Sequence, residues 1–224
     1  MFFRIILTGA TGMVGEGVLL ECLSHPSVSK VLMVNRRSSA IKHPKLTECI
    51  VPDFFQLDHA TEQLSGYDAC FYCAGISSAG MNEADYSRIT YDTTLHFAKT
   101  LLSLNPSMTF NHISGSGTNS RSRFMWARVK GKAEDALLAL PFKTAYNFRP
   151  GFMKPTAGQQ NVKGFYKILN VLTPLLKLIF PGKVCSMKEV GLAMINSLRK
   201  GYPKNILEVN DIRKLAALSG SRSK

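Results

Sequence analysis

Carboxylates are scarce in this sequence. Only 15 of its 224 residues are Asp or Glu, against 28 Lys or Arg, leaving a formal net charge of +13. That excess suits a polyanion, whether a phosphorylated cofactor, an acidic membrane face or nucleic acid, and charge alone does not choose among them. Helix-turn-helix, zinc-finger and RNA-reading patterns are missing, so nucleic acid is not expected as a partner. Cysteine is sparse too. Cys22, Cys49, Cys70, Cys73 and Cys185 are odd in number and scattered through apolar segments, which excludes a disulfide framework and fits reduced core residues of a cytoplasmic protein. Cys70 and Cys73 form a CxxC, yet strand alternation sends them to opposite faces, and no second pair completes a metal site. The five histidines show no metal-like spacing, so no metal is expected. No apolar run is long and unbroken enough to span a bilayer. A basic region ahead of an apolar run with a cleavage site is also lacking, and secretion is not expected.

What is present begins at once. Apart from Arg4, Phe2 to Leu7 are apolar without regular polar alternation, as in a strand covered on both faces, and they give way to glycines and then to a helical pattern starting at Met13. Gly9, Gly12 and Gly15 suit a tight turn, close backbone approach to a pyrophosphate, and a helix pressed on the strand. The helix N-terminus adds free N–H groups and a positive dipole end. Val31 to Asn35 reads as a second strand ending in Arg36 and Arg37. A carboxylate at this place would bind the ribose 2′-hydroxyl of NAD, whereas arginine accepts a 2′-phosphate, so NADP(H) is preferred over NAD(H). Further strands are predicted at Leu46–Val51, Asp68–Cys73, Met108–Ile113 and Thr144–Phe148, with helices at Leu57–Leu64, Asn82–Leu104 and Ser122–Leu140 between them. On the long helix Asn82–Leu104 Tyr86, Ile89, Thr93, Phe97 and Leu101 share a face. The alternation predicts an α/β fold, a doubly wound parallel sheet of Rossmann type, with a small helical C-terminal region forming a cleft. Residues 1–218 read as one domain, the cofactor part about 1–151 and the substrate-cleft part about 152–218, followed by a basic tail at 219–224.

Four local patterns in order, TGATGMVG at 8–15, Cys73-Ala74-Gly75, Ser114 and Lys130, resemble the short-chain dehydrogenase/reductase superfamily in its extended or atypical branch. Asn35-Arg36-Arg37, the segment from Phe124 to Gly131, and Arg149-Pro150-Gly151 look most like the group containing Tat-interacting-protein-like oxidoreductases and bacterial NAD-dependent epimerase-like proteins. The resemblance implies that Gly9, Thr11, Gly12, Met13, Val14 and Gly15 hold the pyrophosphate. Arg36 and Arg37 would meet the 2′-phosphate beside Asn35, and Asp53 with Phe54 the adenine. Cys73, Ala74 and Gly75 would line the adenosine ribose and the route to the nicotinamide, Pro150 and Gly151 would close over its far end, and Lys130 would bond the nicotinamide ribose. Ser114 and Lys130 are the catalytic residues so implied, acting on a small carbonyl or sugar-like substrate.

The pattern departs from the family at one residue. Trp126 stands where a tyrosine four positions before the lysine would carry the proton, and an indole N–H is a hydrogen-bond donor with no acidity at neutral pH. Three readings follow: a displaced acid among Tyr86, Tyr91 and Tyr146, catalysis by Ser114, Lys130 and a bound water, or an NADP(H)-dependent sensor or interaction protein without turnover. The apolar segment from Phe165 to Phe180, broken by Pro174 and studded with lysines, is expected to be a helix walling the cleft, with weak peripheral contact to an acidic membrane as its lesser role.

Overall fold

The computed structural model describes residues 1–162 and 182–218. Strands and helices alternate as β1 (Phe3–Thr8), α1 (Met13–Ser24), β2 (Val28–Asn35), β3 (Leu46–Ile50), α2 (Thr61–Leu64), β4 (Ala69–Tyr72), α3 (Glu83–Ser87), α4 (Thr93–Leu104), β5 (Thr109–Ile113) and α5 (Met125–Leu138). Then come β6 (Thr144–Arg149), β7 (Phe152–Lys154), β8 (Val184–Ser186), α6 (Met187–Lys200), β9 (Ile206–Glu208) and α7 (Val209–Ala216). Seven strands form one sheet in the order β3-β2-β1-β4-β5-β6-β9, and every neighbouring pair is parallel. The chain starts at β1, winds outward through β2 to β3, then returns to lay β4 on the other side of β1. That reversal opens a crevice at the carboxyl ends of β1 and β4, where doubly wound sheets bind their ligands.

Each face of the sheet carries its own core. Ile5 and Leu7 of β1 pack with Val18, Met194 and Ile212 under α1, α6 and α7, while Ile6 packs with Phe97, Phe110 and Leu137 under α4 and α5. Coverage of both faces therefore accounts for the apolar run Ile5–Leu7, while Arg4 before it is exposed. Cys70 joins the second core and Cys73 packs against the first, on opposite faces of the sheet.

Three sequence expectations are corrected. Between α3 and α4 the chain takes a π turn over Arg88–Asp92, whose wider pitch slips the buried stripe to Tyr86, Thr90, Thr94, Phe97 and Leu101 and leaves Ile89 exposed. Helix α5 starts at Met125, not Ser122, because Ser122 Oγ accepts from Phe124 N–H at 3.1 Å and holds the preceding residues in a turn. The C-terminal region is not purely helical: Ile206–Glu208 joins the main sheet beside β6, and β7 pairs with β8 in a separate parallel ribbon. The expected helix from Phe165 to Phe180, with its cleft and membrane readings, and the basic tail at 219–224 lie outside the described residues.

Two ion pairs sharing Arg149 join three elements near the sheet's edge. The Arg149 guanidinium on β6 donates to both carboxylate oxygens of Glu134 on α5, Nε to Oε1 at 3.0 Å, and to Glu208 at 3.1 Å. Glu134's side chain is 1% exposed, so removing its partner strands a buried charge. Arg149→Met should lower stability by about 3–5 kcal/mol, read as a fall in the urea midpoint. Arg149→Met combined with Glu134→Leu should recover most of that loss.

Candidate dinucleotide and active site

The crevice is built on a close approach of two backbones. Gly9, at φ 71° directly after β1, faces the peptide joining Cys73 to Ala74, and a Cβ there would stand 2.6 Å from the Cys73 carbonyl carbon. Gly15, in the first turn of α1, presses on Gly9 itself, where a Cβ would fall 2.2 Å from the Gly9 oxygen. No L side chain fits at either place, so strand, turn and helix can close up as a phosphate-binding turn requires. The buried Thr8 hydroxyl completes the joint by accepting from the N–H groups of both Cys73 and Ala74 at 3.1 Å. Gly12 caps α1 without a side-chain hydrogen bond, so the first N–H groups of the helix, from Met13 and Val14, point at the crevice uncapped. Thr11 and Gly12 are exposed beside them.

At the end of β2, Asn35 is buried and its amide Nδ2 has no partner among the described residues. Arg36 and Arg37 follow it fully on the surface, and neither bonds to any described residue. The nearby carboxylate, Glu48, is taken by Ser38 Oγ and Ser39 N–H, both at 2.7 Å. An orphaned buried donor, two free guanidiniums and a glycine cradle form a donor set that fits the ribose phosphate side of a dinucleotide. Asp53 is exposed after β3 and uses Oδ1 to accept from Phe55 N–H at 2.9 Å. Phe54 is different: its ring is buried and stacks on Phe97 at 5.0 Å. The expectation that the Phe54 ring meets adenine is therefore corrected, since core packing occupies it; Phe55, beside it, is exposed.

Across the crevice lies the turn after β5. Thr118 Oγ1 is placed to donate to the Gly115 carbonyl at 2.8 Å, and in that arrangement Ser114 Oγ is the donor in its 3.1 Å contact with Thr118 Oγ1. Ser114 then offers its lone pairs to a group bound next to it. Lys130 lies on α5, and burial lowers its pKa, with the Glu134 carboxylate one turn on opposing the shift. Trp126 lies over the same turn, its ring edge 3.6 Å from where a Cβ of Gly117 would sit. Pro150 is buried and its carbonyl accepts from Ser116 N–H at 3.1 Å, while the next peptide leads Phe152 N–H to the Lys183 carbonyl at 2.8 Å. Gly151 is thereby packed against the Lys183 backbone.

Of the three tyrosines offered as a displaced acid, Tyr146 is ruled out. Its hydroxyl sits in the first core and accepts from Tyr202 N–H at 3.0 Å. Tyr86 is 1% exposed, and burial raises its pKa. Tyr91, on the π turn, is half-buried against the second core.

Two contributors escaped the sequence reading. Glu16, in the first turn of α1, is 3% exposed and accepts from Gln160 N–H at 2.8 Å and Asn161 N–H at 2.7 Å. Gln159 donates to the Met13 carbonyl at 2.7 Å. Together they tie the segment after β7 to the dinucleotide helix, a pairing across more than 140 positions that no local pattern signals. His112 on β5 is the other. It is buried, its Nδ1 is 2.9 Å from Asn147 Oδ1, and burial, with the Lys130 charge added, drives its pKa down to about 3. Among the described residues no cluster of His, Cys, Asp or Glu could hold a metal, and no helix is long and apolar enough to cross a membrane.

Strand order, reversal point and glycine turn together define a nucleotide-binding Rossmann-type protein. A family model described as the NAD dependent epimerase/dehydratase family matches residues 5–121, and the chain belongs to that family, whose members depend on nicotinamide cofactors. Protein fmp52, mitochondrial, from Emericella nidulans is 29% identical over 164 residues, covering 70% of this chain and 68% of the relative. Protein HTATIP2 from Rattus norvegicus is 28% identical over 151 residues, 66% and 62% of the two chains. Protein FMP52-1, mitochondrial, from Scheffersomyces stipitis is 26% identical over 221 residues, 94% and 96%. Among solved structures, MoeE5 in complex with UDP-glucuronic acid and NAD is similar with a TM-score of 0.67 at 15% identity, covering 96% of this chain and 81% of that one. WbmF from Bordetella bronchiseptica in complex with NAD+ gives 0.64 at 14%, covering 99% and 80%. These two likenesses carry the fold.

His112 gives the site a pH signature. A histidine near 6.5 when unfolded and near 3 when folded contributes stability that is whole above pH 6.5 and is lost as pH falls toward 3, because the unfolded chain then binds the extra proton. Between pH 6.5 and 4.5 the wild type should lose about 2 kcal/mol more than His112→Gln, measured as the difference between their denaturation free energies.

Proposed function

We propose that this protein binds NADP(H) in preference to NAD(H) and is an oxidoreductase acting on a small carbonyl or sugar-like substrate. The observation that carries the reading is the end of β2, where Arg36 and Arg37 stand exposed and unpaired with no carboxylate in the place that would meet a ribose 2′-hydroxyl. Gly9, Thr11, Gly12, Met13, Val14 and Gly15 would take the pyrophosphate, Asn35 and Asp53 the adenosine end, and Cys73, Ala74 and Gly75 the path toward the nicotinamide. Pro150, Gly151 and Lys130 would hold the nicotinamide end. The bound nicotinamide supplies or accepts a hydride. This chain's own task is to bind, orient and handle the proton.

For that task Ser114 and Lys130 are the groups at hand. Ser114, with its proton committed to Thr118, is set to accept from a substrate hydroxyl, which supports the alcohol side of an alcohol–carbonyl interconversion. Lys130, its affinity for a proton lowered by burial, serves as the cation near the reacting oxygen. Trp126 holds the tyrosine position and transfers no proton, so the acid is a water held by these groups or Tyr91. A second reading, cofactor binding without turnover, is favoured by one observation: Tyr86 is sealed in the core and Tyr146 is bonded away from the crevice. The scattered cysteines support a reducing, cytoplasmic setting; the mitochondrial names belong to the fungal relatives.

NADPH should bind more than tenfold tighter than NADH at low salt, since a charge-assisted contact is worth about 1.5–3 kcal/mol. Arg36→Ala with Arg37→Ala should erase that difference and leave NADH affinity nearly unchanged. Equal affinities in the wild type would refute the preference. Trp126→Tyr should raise or create reduction of a carbonyl panel by about 10²-fold or more, because a positioned acid contributes about 10²–10⁴ and Lys130 stands one helical turn away to lower its pKa. A wild type that is already fast and a variant that gains nothing would point to a different acid.

A further inference from the structure

The turn after β5 has more hydrogen-bond donors than the fold uses. Its odd-numbered glycines alternate with residues whose amides are spent: Ser114 N–H goes to the Phe148 carbonyl at 2.8 Å, Ser116 N–H to Pro150 at 3.1 Å and Thr118 N–H to Gly115 at 3.2 Å. The amides of Gly115 and Gly117 have no partner among the described residues. Nothing crowds Gly115, where a Cβ would meet no atom within 4 Å. Lys183, exposed and in no ion pair among the described residues, donates to Ser116 Oγ at 3.2 Å. An ammonium has three donors, and a hydroxyl that accepts keeps its own proton to give. The turn therefore gathers two amides, one hydroxyl proton and a cation with two donors to spare, and no carboxylate bonds to any of them.

The lysine's backbone is fixed beside the turn. Its carbonyl accepts from Phe152 N–H, and Val184 next to it pairs with Phe152 in the β7–β8 ribbon. Only the side chain is left to swing, and it reaches the hydroxyl two residues beyond Ser114. A fixed surplus of donors around a positive charge is complementary to an oxyanion.

We infer that the Ser114–Thr118 turn and Lys183 form a subsite for an anionic group, a carboxylate or a phosphate, on the small-molecule substrate. The placement rests on Ser114 marking the reacting centre, as proposed above. The substrate class is then a carbonyl or alcohol carrying an acid group a few bonds from the carbon that reacts, and neutral analogues lose the contact with Lys183.

The single tryptophan of the chain reports on this turn, because Trp126 lies over Gly117. Inorganic phosphate and acetate, titrated at low salt into the full-length protein saturated with NADP+, should each give a saturable change in tryptophan fluorescence that weakens as salt rises. Lys183→Met should weaken both about five- to tenfold, Lys183→Arg should restore most of it, and Ser116→Ala should fall between. NADP+ affinity should stay within about twofold in all three variants, which shows that they fold. Response to phosphate alone, or to acetate alone, narrows the acid group and supports the subsite. Superimposable phosphate curves for wild type and Lys183→Met, or no saturable response in the wild type, overturn it. Failure of NADP+ to bind would instead count against the proposed function, and the same Lys183 comparison in the nucleotide-free protein would still decide the subsite.

Discussion

The whole site depends on backbone meeting backbone where β1 ends. Gly9 lies against the Cys73–Ala74 peptide, Gly15 lies against Gly9, and the Thr8 hydroxyl binds both amides of that peptide. Adding one methyl group at Gly9 or Gly15 would force atoms to about 2.2–2.6 Å, far inside contact distance. This joint sets where α1 begins and how near the ends of β1 and β4 come. It thereby fixes the direction of the free helix amides. The two cores act as support, since they hold the strands from both faces.

A second set of contacts ties the far wall of the crevice to that joint. Glu16 and Gln159 bind the segment after β7 to the start of α1. Arg149 binds α5 to β6 and β9, and Arg128 on α5 donates to Glu83 on α3 at 3.2 and 2.6 Å. Carboxylates, the buried Glu16 and Glu134 among them, are thus spent on holding elements together. The cations left over, Arg36, Arg37 and Lys183 among them, face solvent unpaired. A basic surface follows from that division.

Much of this was legible in the sequence, for identifiable reasons. The first strand and its glycines announce themselves because a two-sided burial pattern and a steric requirement both leave local marks, and the strand–helix alternation through Arg149 could be read in the same way. What could not be read depends on long-range partners. The π turn at Arg88–Asp92 changes pitch without any proline or glycine to mark it. Ile206–Glu208 is too short to be recognised as a sheet strand until β6 stands beside it. Phe54 looked like a ligand contact by position, and Phe97, more than forty residues away, takes its ring instead. Tyr146 likewise looked available until Tyr202 was placed next to its hydroxyl. The donor-rich turn after β5 shows in the sequence only as Ser-Gly-Ser-Gly-Thr, because Lys183 reaches it from another part of the chain.

The claim at the centre is that the Gly9–Gly15 turn, the end of β2 and the Cys73–Gly75 peptide form one nucleotide site. Amide hydrogen exchange of the full-length protein with and without saturating NADPH tests it most directly. Exchange should slow together in peptides covering 8–15, 35–37 and 73–75, while the α2 peptide, which precedes β4 at the other end of that strand, stays unchanged. Saturating NADPH that leaves those three segments at their unliganded rates, or that protects a different face of the sheet, would contradict it.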